Sequence, residues 1–230
     1  MATRIGLELS QASFASQPGG EAAVATLVVR NTGELVEHIR LRVEGLEPAW
    51  WALSEADVSL LPDTSAWVQL MIRPPAEATA GSHPFRVVAA GGSDTDTHTA
   101  EATAMLEVDE VGAIELVLIP TRRYGFRSGT YSLRLRNQSN SRRLVRVVPS
   151  DPDEALRFEI PTDQVLLQPG QESSLALRAR VPKIGWFGPE QRLPFSVAAV
   201  GSDDPLAAPL RATGNRRHLR RRAVGRPGQQ

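Results

Sequence analysis

The feature that most constrains this chain of 230 residues is an internal repeat. The matched segments, in chain order, are residues 25–31 (ATLVVRN) with 131–137 (YSLRLRN), residues 57–63 (DVSLLPD) with 163–170 (DQVLLQPG), and residues 83–94 (HPFRVVAAGGSD) with 193–204 (LPFSVAAVGSDD). Three matches in the same order, at offsets of 106 to 110 residues, indicate a tandem duplication.

Apolar and polar residues alternate within each copy, as they do in a strand with one buried and one solvated face. Leu27 and Val29, for example, alternate with Val28 and Arg30. Turn residues such as Gly, Pro and Asn separate the alternating segments. The pattern predicts an all-β chain of two tandem immunoglobulin-like β-sandwiches with seven strands each, followed by a basic C-terminal tail. The predicted boundaries are residues 1–109, residues 113–213 and, for the flexible tail, residues 214–230.

Several segments of the first copy together resemble a known domain family. They are residues 31–33 (NTG), 45–51 (GLEPAWW), 58–63 (VSLLPD) and 73–85 (RPPAEATAGSHPF). This order is similar to that of bacterial immunoglobulin-like domains of the NEW3 type, which are associated with alpha-galactosidases and occur in proteins labelled "hydrolytic". The resemblance covers roughly residues 5–213. It implies the sandwich fold and brings no catalytic motif with it.

The residues that usually carry catalysis do not form a recognisable motif here. The chain has no Cys, and its four His are not placed at metal-ligand spacing. We therefore predict no catalytic, cofactor-binding or metal-ligating residues, and no enzymatic activity. Asp94, Asp96 and His98 alternate and would share a strand face suited to a hard cation, with a polar hairpin tip as the alternative reading.

Two pairs of aromatic residues are candidate interaction anchors. Trp50 and Trp51 are adjacent, so that on a strand one would cover the core and the other would be exposed. Trp186 and Phe187 lie in a Gly-containing segment between strands. Loop aromatics of this kind either anchor a partner or plug an open end of the sandwich.

The C-terminal segment is strongly basic. It contains Arg216, Arg217, Arg220, Arg221, Arg222 and Arg226 and no acidic residue, which leaves 20 basic against 26 acidic residues in the rest of the chain. Such an arm binds nucleic acid phosphates, an acidic lipid face or an acidic protein groove. The alternative is a tail that is merely solvated.

These observations predict a non-enzymatic module that binds other proteins through strand edges or aromatic loops, as a structural, assembly or accessory component of a larger bacterial or phage-like machine. Two alternatives stay open: a binder of nucleic acid or acidic surfaces through the tail, and a carbohydrate-associated accessory domain. No window is apolar enough for a membrane-spanning helix, and the first residues lack the apolar core of a signal peptide. We therefore expect a cytoplasmic protein, with membership of an exported or assembled particle as the alternative.

Overall fold

The computed structural model describes residues 4–93, 96–125, 127–182, 191–201 and 210–218. In this part of the chain the regular structure is β-strand, apart from one 3-10 turn at Pro48–Trp50. The chain divides into two compact units, residues 1–111 and 112–230, here called domain 1 and domain 2. Each is an immunoglobulin-like β-sandwich, so the predicted fold class is confirmed.

Domain 1 contains two sheets built from strands β1 to β9. Their bounds are β1 Ile5–Leu9, β2 Ser13–Ser16, β3 Ala23–Asn31, β4 Glu37–Glu44, β5 Trp51–Leu53, β6 Asp57–Leu60, β7 Ser65–Ile72, β8 Gly81–Ser93 and β9 Asp96–Val108. The four-stranded sheet has the order β1-β3-β7-β5, and the five-stranded sheet has the order β2-β9-β8-β4-β6.

Domain 2 repeats this arrangement strand for strand. Its bounds are β10 Ile114–Ile119, β11 Arg122–Gly125, β12 Ser128–Asn137, β13 Arg143–Ser150, β14 Arg157–Glu159, β15 Gln164–Leu167, β16 Glu172–Arg180, β17 Gln191–Gly201 and β18 Leu210–His218. The sheet orders are β10-β12-β16-β14 and β11-β18-β17-β13-β15. The duplication seen in the sequence is therefore a duplication of topology.

Each domain has nine strands among the described residues, where the sequence predicted seven. One reason is that the first strand of each domain is broken where it changes sheets. In domain 1 the first part, β1, pairs antiparallel with β3, and the second part, β2, pairs parallel with β9. The other is a short strand, β5 or β14, at the edge of the four-stranded sheet. Segments this short carry too few alternating residues to be recognised from sequence.

Alternation along the strands builds a separate core in each domain. Leu27 and Val29 of β3 are fully buried, whereas Arg30 beside them is exposed. Leu133 and Leu135 are the corresponding buried residues of β12 in domain 2. Burial of these side chains between facing sheets is the main source of stability in a sandwich without disulfides.

The Arg-Asn ending that marks both repeats has a structural cause. Asn31 is fully buried, and its Nδ2 donates to the carbonyl oxygens of Leu35 (2.7 Å) and Leu60 (3.0 Å). Asn137 is also fully buried, and its Nδ2 donates to the carbonyl oxygens of Ser141 (2.7 Å) and Leu167 (3.2 Å). The same side chain therefore closes the same loop in both domains.

The predicted start of the tail at residue 214 needs correction. Strand β18 runs to His218, so residues 214–218 belong to the five-stranded sheet of domain 2, where they pair with β17 on one side. Ala212, Gly214 and Arg216 lie on the inner face of β18. The sequence did not reveal this alternation, because glycine and arginine are not typical core residues. Residues 219–230 lie outside the described part of the chain.

Among the described residues, no helix has the length and apolar character needed to cross a membrane.

Candidate functional site

Strand β9 is paired unequally on its two sides. Strand β8 pairs with it antiparallel along all 13 of its residues. On the opposite side, β2 pairs with it only from Met105 to Val108. The backbone N–H of Met105 donates to the carbonyl oxygen of Ala12 (2.9 Å), which is where the pairing with the β2 segment begins.

The first nine residues of β9 (96–104) therefore have an outer edge with which no described strand pairs. Backbone N–H and C=O groups alternate in direction along an extended strand. Since the N–H of Met105 points toward β2, the backbone groups of Thr99, Glu101 and Thr103 point toward the same outer side. We call residues 96–104 the open edge. Outward-facing backbone groups with which no described strand pairs are a template for another strand.

The inner side of the open edge has an apolar floor. Ala100 and Ala102 of β9 face inward and are half-buried, and so are Leu7 and Leu9 of β1, the edge strand of the facing sheet. Strands β1 and β9 are in contact and close this side of the sandwich. Because the alanine side chains are small, this apolar surface stays partly exposed to solvent.

A shallow groove of about 670 Å³ adjoins the end of the open edge. Its lining residues are Ala12, Glu44, Gly45, Pro84, Phe85, Arg86, Thr103, Ala104 and Met105. Gly45 has a φ of +96°, and a Cβ at this position would lie 2.6 Å from the carbonyl oxygen of Pro84. Glycine is therefore required here, and it keeps the groove free of a side chain.

A charge network borders the groove on the outer face of the five-stranded sheet. Arg86 Nε donates to Glu44 Oε2 (2.8 Å), and Arg86 Nη1 donates to Glu101 Oε2 (3.2 Å). Arg42 Nε lies 2.9 Å from Glu44 Oε1. The hydrogen bond from Arg86 lowers the pKa of Glu44, and the same hydrogen bond raises the pKa of Arg86. The network fixes these side chains along β4, β8 and β9 beside the open edge.

The two described aromatic residues that the sequence singled out, Trp50 and Trp51, differ in burial. Trp50 ends the 3-10 turn and is buried, with its ring edge-on to His83 at a centroid distance of 5.2 Å. Trp51 begins β5, is half-buried, and its Nε1 is enclosed without a hydrogen-bond partner. Trp50 is therefore a core residue rather than an exposed anchor. Trp186 and Phe187 lie outside the described residues.

The arginines of the predicted tail also separate into groups. Arg216 is fully buried in domain 2, which is a correction, because a residue in a flexible arm would be exposed. The backbone of Arg217 pairs with that of Arg192 in the sheet. The remaining candidates, Arg220, Arg221, Arg222 and Arg226, lie outside the described part of the chain.

The proposed cation-binding residues are only partly described. His98 is half-buried in β9, whereas Asp94 and the side chain of Asp96 lie outside the described residues. No group of three metal-ligating side chains occurs among those that are described. A cation at this hairpin stays a prediction.

One prominent surface residue was not singled out in the sequence. Trp67 of β7 is 73% exposed on the outer face of the four-stranded sheet, opposite Val28 of β3. Its alternation with buried Val68 and Leu70 places Trp67 on the solvated face, and this pattern could have identified Trp67 from the sequence. The open edge carried no comparable signal, because pairing partners cannot be read from alternation alone.

Comparisons with known proteins give no family assignment. No known protein family matches the sequence, and no curated protein matches it. Solved structures that match include the Escherichia coli chaperone DraB, with 10% identity and a TM-score of 0.35. The match covers 85% of this protein and 92% of DraB. The periplasmic chaperone SfaE matches with 12% identity, coverage of 94% and 100%, and a TM-score of 0.33. The Salmonella enterica SafA pilin in complex with the SafB chaperone matches with 12% identity, coverage of 91% and 95%, and a TM-score of 0.36.

Two sequence-based expectations are corrected by these comparisons. The resemblance to NEW3 domains is wrong, because no family model matches the sequence. The expectation of a cytoplasmic protein is not upheld either: the solved structures that match include one described as a periplasmic chaperone. The short motifs that carried the resemblance are turn residues and alternating strands, which many sandwiches share. The function proposed below rests on the residues of this chain alone.

Proposed function

We propose that this protein is a non-enzymatic protein-interaction module that binds an extended segment of a partner protein by adding it as a strand to the open edge of β9. The observation that carries the proposal is the unequal pairing of β9, which is complete along β8 and limited to four residues along β2. Strand addition of this type obtains affinity from main-chain hydrogen bonds.

The backbone supplies the first part of the interaction. Thr99, Glu101 and Thr103 each present one N–H and one C=O to the outer side, so an added strand would form a regular ladder with them. The added strand would lie in the same sheet position as β2, and its path would end where the pairing of β2 begins at Met105.

Side chains supply the second part. The inward-facing side chains of an added strand would cover Ala100 and Ala102 and reach Leu7 and Leu9 of the facing sheet, which favours large apolar residues at alternate positions of the partner. Outward-facing side chains would lie beside Glu101 and the groove, which favours polar or basic residues there. The partner is therefore a segment that alternates between apolar and polar residues.

This binding mode gives a physical basis to the hypothesis of an assembly or accessory role in a larger machine. A rigid sandwich that accepts an extended segment holds a partner in one register and orientation. Arg216 and Trp50, two of the residues on which the nucleic-acid and carbohydrate alternatives rested, are buried.

The proposal is tested by selecting linear peptides from a random displayed library against the full chain and mapping their site by hydrogen–deuterium exchange. We expect the selected peptides to alternate between apolar and polar residues and to slow the exchange of the amides of Thr99, Glu101 and Thr103. Failure to select any peptide, or protection elsewhere on the chain, would contradict the proposal.

A proline variant provides the decisive comparison. Thr99→Pro removes an N–H that faces outward and leaves the pairing with β8 intact, a position at which an edge strand tolerates proline. We expect peptide binding to weaken by about tenfold or more with little loss of stability. Thr99→Val is the matched control, because it keeps the backbone donor. Equal peptide affinity of the two variants would contradict the proposal.

A further inference from the structure

The duplication allows each residue of domain 2 to be compared with its counterpart in domain 1. In domain 1, Pro84 pairs with Met105, so the next residue of β9 is Leu106. In domain 2, Pro194 pairs with Asn215, so the next residue of β18 is Arg216. Leu106 and Arg216 therefore occupy the same place in the two sandwiches, and both side chains are fully buried.

Domain 1 shows that this position is well filled by leucine. Leu106 belongs to the apolar core and pairs in register with Phe14 of β2. At the equivalent position of domain 2, Arg216 pairs in register with Arg123 of β11. The fold itself therefore does not require a charged residue here.

The guanidinium of Arg216 is only partly satisfied by the protein. Its Nη1 donates to the carbonyl oxygen of Ala179 on β16. Its Nε and Nη2 are enclosed and have no hydrogen-bond partner, and the hydroxyl of Tyr131 nearby is enclosed without a partner as well. No acidic side chain among the described residues forms an ion pair with it.

A buried guanidinium with unsatisfied donors lowers the stability of the folded domain unless another interaction compensates for it. Arginine stays charged in proteins, and a buried charge without a partner destabilises the folded state strongly. Burial lowers the pKa of Arg216 through desolvation, in agreement with a site that lacks a counter-charge. Leucine at this position would avoid the cost, as it does in domain 1.

We propose that Arg216 is the anchor of an oxyanion-binding site in domain 2 that takes a carboxylate or a phosphate group. Nε and Nη2 lie on one side of the planar guanidinium and form the fork that binds two oxygens of one oxyanion. The hydroxyl of Tyr131 supplies a third donor. The site is distinct from the open edge in domain 1 and does not depend on the function proposed for it.

Access to the donors requires local opening. The side chain of Arg216 is 0% exposed, so an oxyanion enters when the ends of the surrounding strands separate. The strands concerned are β12, which starts at Ser128, and β16, which ends at Arg180. Strand ends open more readily than the middle of a sheet. Binding then stabilises the domain in proportion to the logarithm of the oxyanion concentration.

The test compares thermal unfolding of the full chain in inorganic phosphate, in acetate and in chloride at equal ionic strength. We expect the midpoint of the wild type to rise with phosphate or acetate relative to chloride by more than that of Arg216→Leu, and the anion with the larger excess over Arg216→Leu identifies the preferred chemistry. Arg216→Leu should unfold at a higher temperature than the wild type in chloride and respond to the other anions only through their general effect on protein stability. Arg216→Lys should keep part of the response, because it retains the charge and loses the fork.

Two results would overturn the proposal: the same anion response in the wild type and in Arg216→Leu, or a lower midpoint of Arg216→Leu in chloride, which would assign Arg216 a purely structural role. If Arg216→Leu does not fold, the wild type alone decides the question. Its Arg216 Nε–H resonance, identified by comparison with Arg216→Lys, should then shift on titration with phosphate or acetate. An unchanged resonance would overturn the proposal.

Discussion

The side-chain Nδ2 of Asn31 donates to the main-chain oxygen of Leu60 across 3.0 Å, and this bond joins the end of β3 to the end of β6 inside domain 1. Its Oδ1 accepts from the backbone N–H of Gly33 at 2.9 Å. One buried amide thus links the loop that follows β3 to the end of β6. The counterpart in domain 2, Asn137, does the same with Leu167.

We expect Asn31→Ala to lower the free energy of unfolding by about 2–3 kcal/mol, because it leaves buried carbonyl oxygens without a donor. Urea unfolding of the full chain, followed by circular dichroism, measures the change. Thr64→Ala is the control: it removes an exposed hydrogen bond to the carbonyl oxygen of Leu61 and should cost less than about 0.5 kcal/mol. Equal effects of the two variants would show that the buried amide has no special role.

These buried asparagines also show what the sequence was able to predict. Repetition of Arg-Asn at the end of an alternating strand identified the duplication, and alternation identified the fold and the inner face of β3. Alternation reports burial on a strand and does not report which strands are neighbours. The open edge of β9 depends on the length of β2, which is set by the place where the chain changes sheets.

The tail shows the opposite case, in which composition was misleading. Six arginines without an acid indicate a solvated arm, yet β18 continues to His218 and places Arg216 in the core. Backbone pairing with β17 and β11 determines this path, and it is independent of side-chain charge. Alignment of the two repeats would have placed Arg216 at the position of Leu106, and this match was the signal that indicated its burial.

The repeat predicts a reciprocal substitution in domain 1. We expect Leu106→Arg to lower the free energy of unfolding by about 3–5 kcal/mol, since it places a charge without a counter-ion in an apolar core. Leu106→Met is the control and should cost less than about 1.5 kcal/mol. Urea unfolding of the full chain checks both values. Tolerance of Leu106→Arg would mean that this position accepts charge in either domain and would remove the reason to single out Arg216.

The charge network beside the open edge predicts a weak dependence of stability on acid pH. The pKa of Glu44 is lowered in the folded protein from an ordinary value of 4.5, chiefly by the hydrogen bond from Arg86. A carboxyl with a lowered folded pKa contributes stability above its unfolded pKa and loses it as the pH falls through the folded pKa. We therefore expect Glu44→Gln to flatten the fall in the thermal midpoint below pH 4.5.

Because Glu44 is only half-buried, we expect this effect to be small and to decrease further in high salt. Glu55→Gln, which changes an exposed carboxyl outside the network, is the control and should follow the wild-type profile. Identical profiles for Glu44→Gln and Glu55→Gln in low salt would show that Arg86 does not stabilise the ionised carboxylate.

Ionisation of Tyr131 makes the stability of domain 2 depend on pH in the alkaline range. Its pKa is raised above 10.0 because burial disfavours the charged phenolate, and the charge of Arg216 partly opposes this shift. A group with a raised folded pKa contributes stability that is present below its unfolded pKa and is lost as the pH rises toward the folded pKa. Domain 2 should therefore lose stability above about pH 10. Tyr131→Phe should remove this dependence.

Absorbance at the phenolate band resolves the titration, because the chain contains only two tyrosines. We expect the transition that disappears in Tyr131→Phe to lie above pH 10.0 in the wild type. In Arg216→Leu the same transition should move to still higher pH, since the positive charge that favours the phenolate is gone, whereas Arg216→Lys should keep it closer to the wild type. A shift to lower pH in Arg216→Leu would contradict the placement of the guanidinium beside the Tyr131 ring in the folded core.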